Sequence, residues 1–224
     1  MSEPLRVVAF DLDGTLLDSA NSIVNGVVNC WESCGFPVPD KKHIRRIIGL
    51  PWEESIKELL PEAGQNEFAQ IKAYHAEVAS GVRPRPERQE AVFPGIIEVL
   101  DQIDLSGYLL SIITSRSSGR LQELLDNNGI GERFVTLKTT DNGPGKPSPF
   151  LMNQMLSELG IDKKDAVMVG DTTFDVLMAR NAGTAAIGVT WGVHEAEELS
   201  EAGAQEIIDN VYNLPATIDL VLKP

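Results

Sequence analysis

The feature that most constrains the fold of this chain is the alternation of short apolar runs with segments of helical periodicity. The runs are too continuous for half-exposed strands and suit strands that are buried on both faces. Their alternation with helices is typical of a parallel sheet covered by helices, so the sequence predicts an α/β fold. The predicted strands are Leu5–Phe10, Leu109–Thr114, Phe134–Thr136, Ala166–Val169 and Ala185–Val189.

Two of the helices between these strands have recognisable ends. One is predicted to have Ser148 as its N-cap, Pro149 at its first helical position and Gly160 at its end. The other covers Ser118–Asn128, where leucines recur at helical spacing, and it stops at Gly129.

One region interrupts the alternation, because it contains helical patterns and no convincing strand. The predicted helices there are Ile23–Cys34, Lys41–Ile48, Trp52–Leu60 and Asn66–Ala79. A proline- and charge-rich linker, "GVRPRPERQEAVFPG", follows them. We therefore predict a catalytic core of residues 1–18 and 86–224, with an inserted helical cap of residues 19–85 over the strand ends where open α/β sheets bind ligands.

Composition narrows the classes of partner. The 224 residues are 42% hydrophobic and 23% charged, with a formal net charge of −14. Such an acidic chain is ill suited to nucleic acid or an anionic membrane surface. No apolar stretch has the length of a membrane span, and the N-terminus lacks the pattern of a signal peptide. We expect a cytoplasmic protein, as a monomer or a homodimer, that binds a small molecule.

Polar residues follow four of the predicted strands directly or at short distance. Because the carboxyl ends of parallel strands share one edge of the sheet, these side chains are expected to converge. They are Asp11, Asp13, Thr114, Ser115, Lys146, Asp171 and Asp175.

Several carboxylates with one ammonium group and one hydroxyl suit a hard cation such as Mg²⁺, which prefers oxygen ligands. Cysteine and histidine, the usual ligands of zinc, are absent from these positions. A calcium loop beginning at Asp11 fails on spacing, since Gly14 comes too early and Ser22 stands where a glutamate is needed. A surface turn and a phosphoacceptor aspartate remain as alternatives for the two aspartates.

The segments "DLDGTLLDS", "IITS", "GKPSP" and "VGDTTFDV", in this order, resemble the four motifs of the haloacid dehalogenase superfamily. The helical insertion resembles the small cap of that family, and the likeness covers nearly the whole chain. "FPG", "ARNAG" and "WG" are similar to the phosphoglycolate-phosphatase-like branch. The resemblance implies a Rossmann-like, three-layer core with a helical cap.

The resemblance also implies roles for individual residues. Asp11 would be the nucleophile that forms an aspartyl-phosphate, and Asp13 the general acid and base. Mg²⁺ would bind Asp11, the carbonyl of Asp13 and Asp171. Thr114 and Lys146 would hold the transferring phosphoryl oxygens.

Further residues complete the predicted site. Asp175 would orient Lys146 or a metal-bound water, and Gly14 would allow the backbone to approach phosphate. The backbone of Ser115 would donate to phosphate, whereas Arg116 departs from the related sequences and is either a substrate contact or a solvated arginine.

Substrate choice is expected to depend on the cap. The turn "GLP", which begins at Gly49, is the predicted specificity loop, with Arg45 and Arg46 as candidate anion contacts. The three histidines are predicted to be surface or packing residues: His43, His75 and His194. The three tryptophans are predicted to be core or cap contacts and not part of a recognition site: Trp31, Trp52 and Trp191.

The predicted function is a Mg²⁺-dependent phosphatase that acts on a small phosphate monoester, with phosphoglycolate as the leading candidate by resemblance. The alternatives are a phosphomutase, a pyrophosphatase or nucleotidase, a metal-independent dehalogenase, and a non-enzymatic receiver-like domain that is phosphorylated on aspartate. Phosphate release, metal dependence and the lifetime of an aspartyl-phosphate would separate them.

Overall fold

The structure of this protein is a computed structural model that describes residues 4–84 and 90–222. Its strands are β1 (Val7–Phe10), β2 (Leu17–Asp18), β3 (Ala91–Val92), β4 (Leu109–Ile113), β5 (Phe134–Lys138), β6 (Ala166–Gly170), β7 (Ala185–Val189) and β8 (Glu206–Ile208). Its α-helices are α1 (Ala20–Cys34), α2 (Lys41–Arg46), α3 (Trp52–Leu59), α4 (Gln65–Ala79), α5 (Ile96–Leu105), α6 (Ser118–Asn128), α7 (Phe150–Leu159), α8 (Thr173–Ala182), α9 (Ala196–Ala202) and α10 (Leu214–Val221). Within the described residues, no helix is both long and apolar enough to cross a membrane.

The main sheet is parallel, and its strand order is β5-β4-β1-β6-β7-β8. Strand β1 is central and is buried along its whole length. One apolar cluster joins the sheet to α5, α6 and α10, and a second joins it to α7, α8 and α9. Helices therefore cover both faces, which confirms the predicted three-layer α/β fold.

Strand β1 lies between β4 and β6, and the chain crosses from one side of it to the other. In open α/β sheets the crevice at such a point is where ligands bind. The fold therefore places Asp11, the first residue after β1, at the centre of the carboxyl edge of the sheet.

The strands differ from the sequence prediction mainly at their ends. The first strand begins at Val7 and not at Leu5, whose side chain is 59% exposed. Strand β5 continues to Lys138, which is buried and pairs with Glu158 on α7. The prediction ended this strand at Thr136, because a lysine does not belong to an apolar run. The edge strand β8 was not predicted, because it is short and begins with Glu206.

Helices α1 to α4 form the inserted helical cap. They enclose an apolar cluster of their own, in which Cys30, Ile44 and Ile71 are fully buried. A short antiparallel pair, β2 with β3, joins the two chain crossings between cap and core, and it was not predicted. The predicted boundary after residue 18 falls between β2 and α1, and the one after residue 85 lies outside the described residues.

The start of α7 corrects one detail of the sequence prediction. The helix begins at Phe150, with Pro149 at the N-cap position, one residue later than predicted. The hydroxyl of Ser148 still accepts a hydrogen bond from the backbone N–H of Phe150, at 3.3 Å. Ser148 therefore satisfies one of the unpaired N–H groups at the helix start, as a capping residue does.

Candidate active site

The residues predicted to converge lie together at the carboxyl edge of the sheet. The backbone N–H of Asp11 donates to the carbonyl of Val169 at 2.9 Å, which ties the end of β1 to β6. On the other side, the N–H of Thr114 donates to the carbonyl of Lys138 at 2.9 Å. Adjacent parallel strands therefore end level with one another, and their following residues share one crevice.

A buried lysine lies between two of the carboxylates. The ammonium group of Lys146 donates a hydrogen bond to Asp11 and lies 2.6 Å from Oδ1 of Asp175. All three side chains are almost fully buried. Burial raises the pKa of Asp11 to about 7, although Lys146 opposes that shift. Burial also disfavours the charged form of Lys146, but the two carboxylates outweigh it and raise the pKa of the lysine.

Asp171 is fixed by groups from two other segments. The hydroxyl of Thr15 donates to its Oδ1 at 2.9 Å, and the backbone N–H of Val193 donates to its Oδ2 at 2.9 Å. Burial, together with the nearby charges of Asp11 and Asp175, raises its pKa well above the usual range. A buried carboxylate with such a raised pKa is stabilised by a bound proton or by a bound cation.

The donor set fits a divalent cation. One carboxylate oxygen each from Asp11, Asp171 and Asp175 lies within 4.8 Å of the others. Oδ2 of Asp11 is buried and has no hydrogen-bond partner among the described residues. The ammonium group of Lys146 contacts two of these three buried carboxylates, so a cation bound by oxygen would neutralise the remaining negative charge. Mg²⁺, which was predicted from the sequence, prefers such ligands.

Asp13 faces a different set of groups. Arg116 donates to it twice, from Nε to Oδ2 at 2.6 Å and from Nη2 to Oδ1 at 2.5 Å. The hydroxyl of Ser19 also donates to Oδ1, at 2.5 Å. Burial alone would raise the pKa of Asp13, but the arginine outweighs it and the pKa lies below its usual value. Asp11 and Asp13 therefore have pKa values shifted in opposite directions.

Arg116 is placed by two acids. Besides Asp13, it contacts Glu90 at 2.9 Å, and only 13% of its side chain is exposed. It is therefore not a solvated arginine, and its guanidinium is occupied by the predicted acid–base residue. A contact between Arg116 and substrate stays a prediction.

Asp175 belongs to the first turn of α8. Thr172 is the N-cap of that helix, and its hydroxyl donates to Oδ2 of Asp175 at 2.7 Å. The backbone N–H of Thr172 donates to the same oxygen at 3.1 Å. This capping box leaves Oδ1 of Asp175 directed to Lys146.

The predicted specificity loop contacts the core. The hydroxyl of Ser115 donates to the carbonyl of Gly49 at 2.6 Å. A Cβ on Gly49 would lie 3.2 Å from Oγ1 of Thr172, so the loop closely approaches the residues that follow β6. The hydroxyl of Thr114, which is buried, accepts from the N–H of Arg116 at 3.3 Å.

His194 is a contact residue between the cap and the core. Its Nδ1 accepts from the N–H of Thr173 at 3.1 Å, and its Nε2 lies 3.1 Å from the carbonyl of Arg46 on α2. The first bond requires the proton on Nε2, which then donates to Arg46. The side chain is buried, as predicted for a packing residue. Its contact with α2 depends on how that helix packs against the core, so no local sequence pattern could have predicted it.

Arg46 makes a second bridge between the same two parts. Its guanidinium donates to both carboxylate oxygens of Glu198 on α9, one of them at 2.6 Å from Nη1. It was predicted to contact an anionic substrate, but the structure places a carboxylate of the core there. Arg45 instead donates to the side chain of Asn21.

Comparison with known proteins agrees with this geometry. The family model for haloacid dehalogenase-like hydrolases matches residues 8–189. The chain belongs to that family. A probable phosphatase, IndB, of Dickeya dadantii (strain 3937) is 36% identical over 97% of this chain and 95% of its own. A phosphoglycolate phosphatase of Vibrio parahaemolyticus is 26% identical over 95% of both chains.

A solved structure also matches this family member over almost its whole length. The crystal structure of a predicted phosphoglycolate phosphatase from Haemophilus somnus has a TM-score of 0.83, covers 97% of this chain and 99% of its own, and shares 20% identity. The comparisons confirm the predicted family, its phosphoglycolate-phosphatase-like branch and the enzyme class, a phosphoric monoester hydrolase.

Proposed function

We propose that this protein is a Mg²⁺-dependent phosphatase that hydrolyses a phosphate monoester through an aspartyl-phosphate on Asp11. The observation that supports it most is the setting of Asp11, which has one oxygen bonded to Lys146 and the other buried without a hydrogen-bond partner among the described residues. A carboxylate fixed by a cation on one oxygen is placed for nucleophilic attack.

Asp11, the carbonyl of Asp13 and Asp171 would hold Mg²⁺, with Asp175 beside them. The ion would supply charge neutralisation between the Asp11 carboxylate and the phosphate dianion. Lys146, the hydroxyl of Thr114 and the N–H of Ser115 would hold the phosphoryl oxygens, whose charge must be stabilised in the transition state.

In the first half-reaction, an oxygen of Asp11 attacks phosphorus and the bond to the ester oxygen breaks. The leaving oxygen takes a proton from Asp13. In the second, water attacks the phosphorus of the aspartyl-phosphate and gives a proton to Asp13, the bond from phosphorus to the oxygen of Asp11 breaks, and inorganic phosphate leaves with the Asp11 carboxylate restored. Because it pairs with Arg116, Asp13 is ionised, which is the form that accepts a proton in the second step. The first step needs Asp13 in its protonated form. The negative charge of a bound phosphate would favour that form.

The test is phosphate release, with Mg²⁺ and with EDTA, from a panel of phosphate monoesters that includes phosphoglycolate, and separately from pyrophosphate, a phosphoanhydride. We expect release that requires Mg²⁺ and that falls by at least about 10⁴-fold in Asp11→Asn, because no nucleophile remains. Asp104→Asn, the same change at an exposed position of α5, is the matched control and should keep full activity.

Two results would overturn the proposal. Substantial turnover by Asp11→Asn would show that the nucleophile is another residue. Isomerisation of a sugar phosphate without phosphate release would show a phosphomutase, in which a hydroxyl replaces water as the acceptor.

A further inference from the structure

A large cavity connects the catalytic aspartates with the inside of the helical cap. Its volume is 1180 Å³, and it runs from Asp11 and Asp13 past the segment after β4 to α1, α3 and α4. Cavities that enclose a drug-sized ligand measure roughly 300–1,000 Å³. The space is therefore much larger than a phosphoryl group esterified to a two-carbon acid requires.

The cap side of this cavity is apolar and aromatic. Isoleucines from four cap segments line it, among them Ile23, Ile48 and Ile56. Trp52 and Phe68 also line it, with ring centroids 6.2 Å apart at an interplanar angle of 73°. Trp52 is 38% exposed although it lies within the cavity wall. Grouped apolar side chains that remain open to water commonly mark a binding site.

The cations that line the cavity are largely occupied by acids. Arg116 pairs with Asp13 and Glu90, and Arg120 pairs with Glu90 and Glu123. Among the described residues, the lining contains one further lysine or arginine, Lys72, which is exposed on α4. Acidic side chains line the same space, so a second anionic group on a substrate would meet little compensating charge.

We propose that the leaving group of the substrate is bulky, uncharged and mainly apolar, and that it lies against Trp52 and Phe68 in the cap. This inference rests on the proposed phosphatase function and names its substrate class. The phosphoryl group would occupy the crevice at Asp11, while the ester group extends into the cap. A carboxylate or a second phosphate at that position would be disfavoured.

The test compares primary alkyl phosphates, whose leaving alcohols are similar in basicity, so that rate differences report on binding of the alkyl group. We expect kcat/KM of the wild-type protein with Mg²⁺ to be about 10-fold or more higher for 2-phenylethyl phosphate than for ethyl phosphate, because a phenyl group leaves water. Phosphoglycolate should also be a poorer substrate than 2-phenylethyl phosphate.

Variants locate the preference in the cap. Trp52→Ala should reduce the ratio of the two alkyl phosphates to about 3 or less, whereas Trp52→Phe, which keeps an aromatic ring, should retain most of it. Tyr212→Ala is the matched control, since that ring is 63% exposed and does not line the cavity; it should leave the ratio unchanged.

The outcomes separate this inference from the function on which it rests. If ethyl phosphate or phosphoglycolate is hydrolysed as well as 2-phenylethyl phosphate, the inference is wrong and the phosphatase function stands. An unchanged ratio in Trp52→Ala would also overturn it. Absence of phosphate release from every ester would overturn both.

Discussion

At the scale of single residues, the backbone of Gly14 approaches the carboxylate of Asp171 closely. A Cβ at Gly14 would lie 2.3 Å from Oδ2 of Asp171, and φ at this glycine is +89°. Gly14→Ala should therefore displace a proposed metal ligand. We expect the Mg²⁺ concentration for half-maximal activity to rise at least about 10-fold, as it does when groups that orient a metal ligand are lost. Magnesium titrations of activity would measure it.

The control for that prediction is Gly129→Ala. Gly129 also has a positive φ, +63°, but a Cβ there would meet nothing within 4 Å. Both variants should lose roughly 1–2 kcal/mol of stability from backbone strain, and only Gly14→Ala should lose magnesium affinity. Equal magnesium titrations in the two variants would contradict the prediction.

At the scale of elements, α2 and α9 are joined by the ion pair of Arg46 and Glu198. The pair is solvent-exposed, with 45% and 32% of the two side chains accessible, so it contributes about 1 kcal/mol or less. Glu198→Gln should weaken closure of the cap on the core and lower kcat/KM by about 2- to 5-fold at low salt. The difference from wild type should shrink as NaCl is raised, because salt screens the pair.

Asp101→Asn is the matched control, since it removes a partly exposed ion pair, with Arg133, that lies within the core. Its kcat/KM should equal that of the wild type at every salt concentration. If kcat/KM of Glu198→Gln also equals that of the wild type at every salt concentration, then this ion pair has no part in cap closure.

The elements that the sequence predicted are those with a strong local pattern. Strand β7 was predicted at its observed limits, because an apolar run buried on both faces needs no distant partner to be recognised. The β2–β3 pair was not, since each strand has two residues and its partner lies far along the chain. Only the fold brings such segments together.

The same distinction holds in the site. Asp11 and Lys146 were predicted to meet because both follow strands of one sheet, and their ion pair is observed. The bidentate contact of Arg116 with Asp13 was not predicted, since it depends on the direction of one side chain. His194 was treated as a surface or packing residue because its partner on α2 is fixed only by the docking of the cap.

At the scale of the whole molecule, the buried carboxylates should link stability to pH and, through the proposed cation site, to magnesium. In the metal-free protein the pKa of Asp11 is raised by burial from 3.8 to about 7. Between these values the folded state holds a proton that the unfolded state has lost, so stability falls as pH rises from about 4 to about 7. Asp171, whose pKa is also raised by burial, acts in the same direction.

Magnesium should oppose this loss, because it replaces the proton as the partner of the carboxylates. We therefore expect saturating Mg²⁺ to raise the unfolding temperature by about 5 °C or more at pH 8 and by less than about 2 °C at pH 5. Thermal unfolding followed by circular dichroism would measure both shifts. Asp11→Asn should show a smaller dependence on pH and on Mg²⁺, whereas Asp104→Asn should behave as the wild type. A magnesium shift of equal size at both pH values would mean that protons and the cation do not compete for these carboxylates.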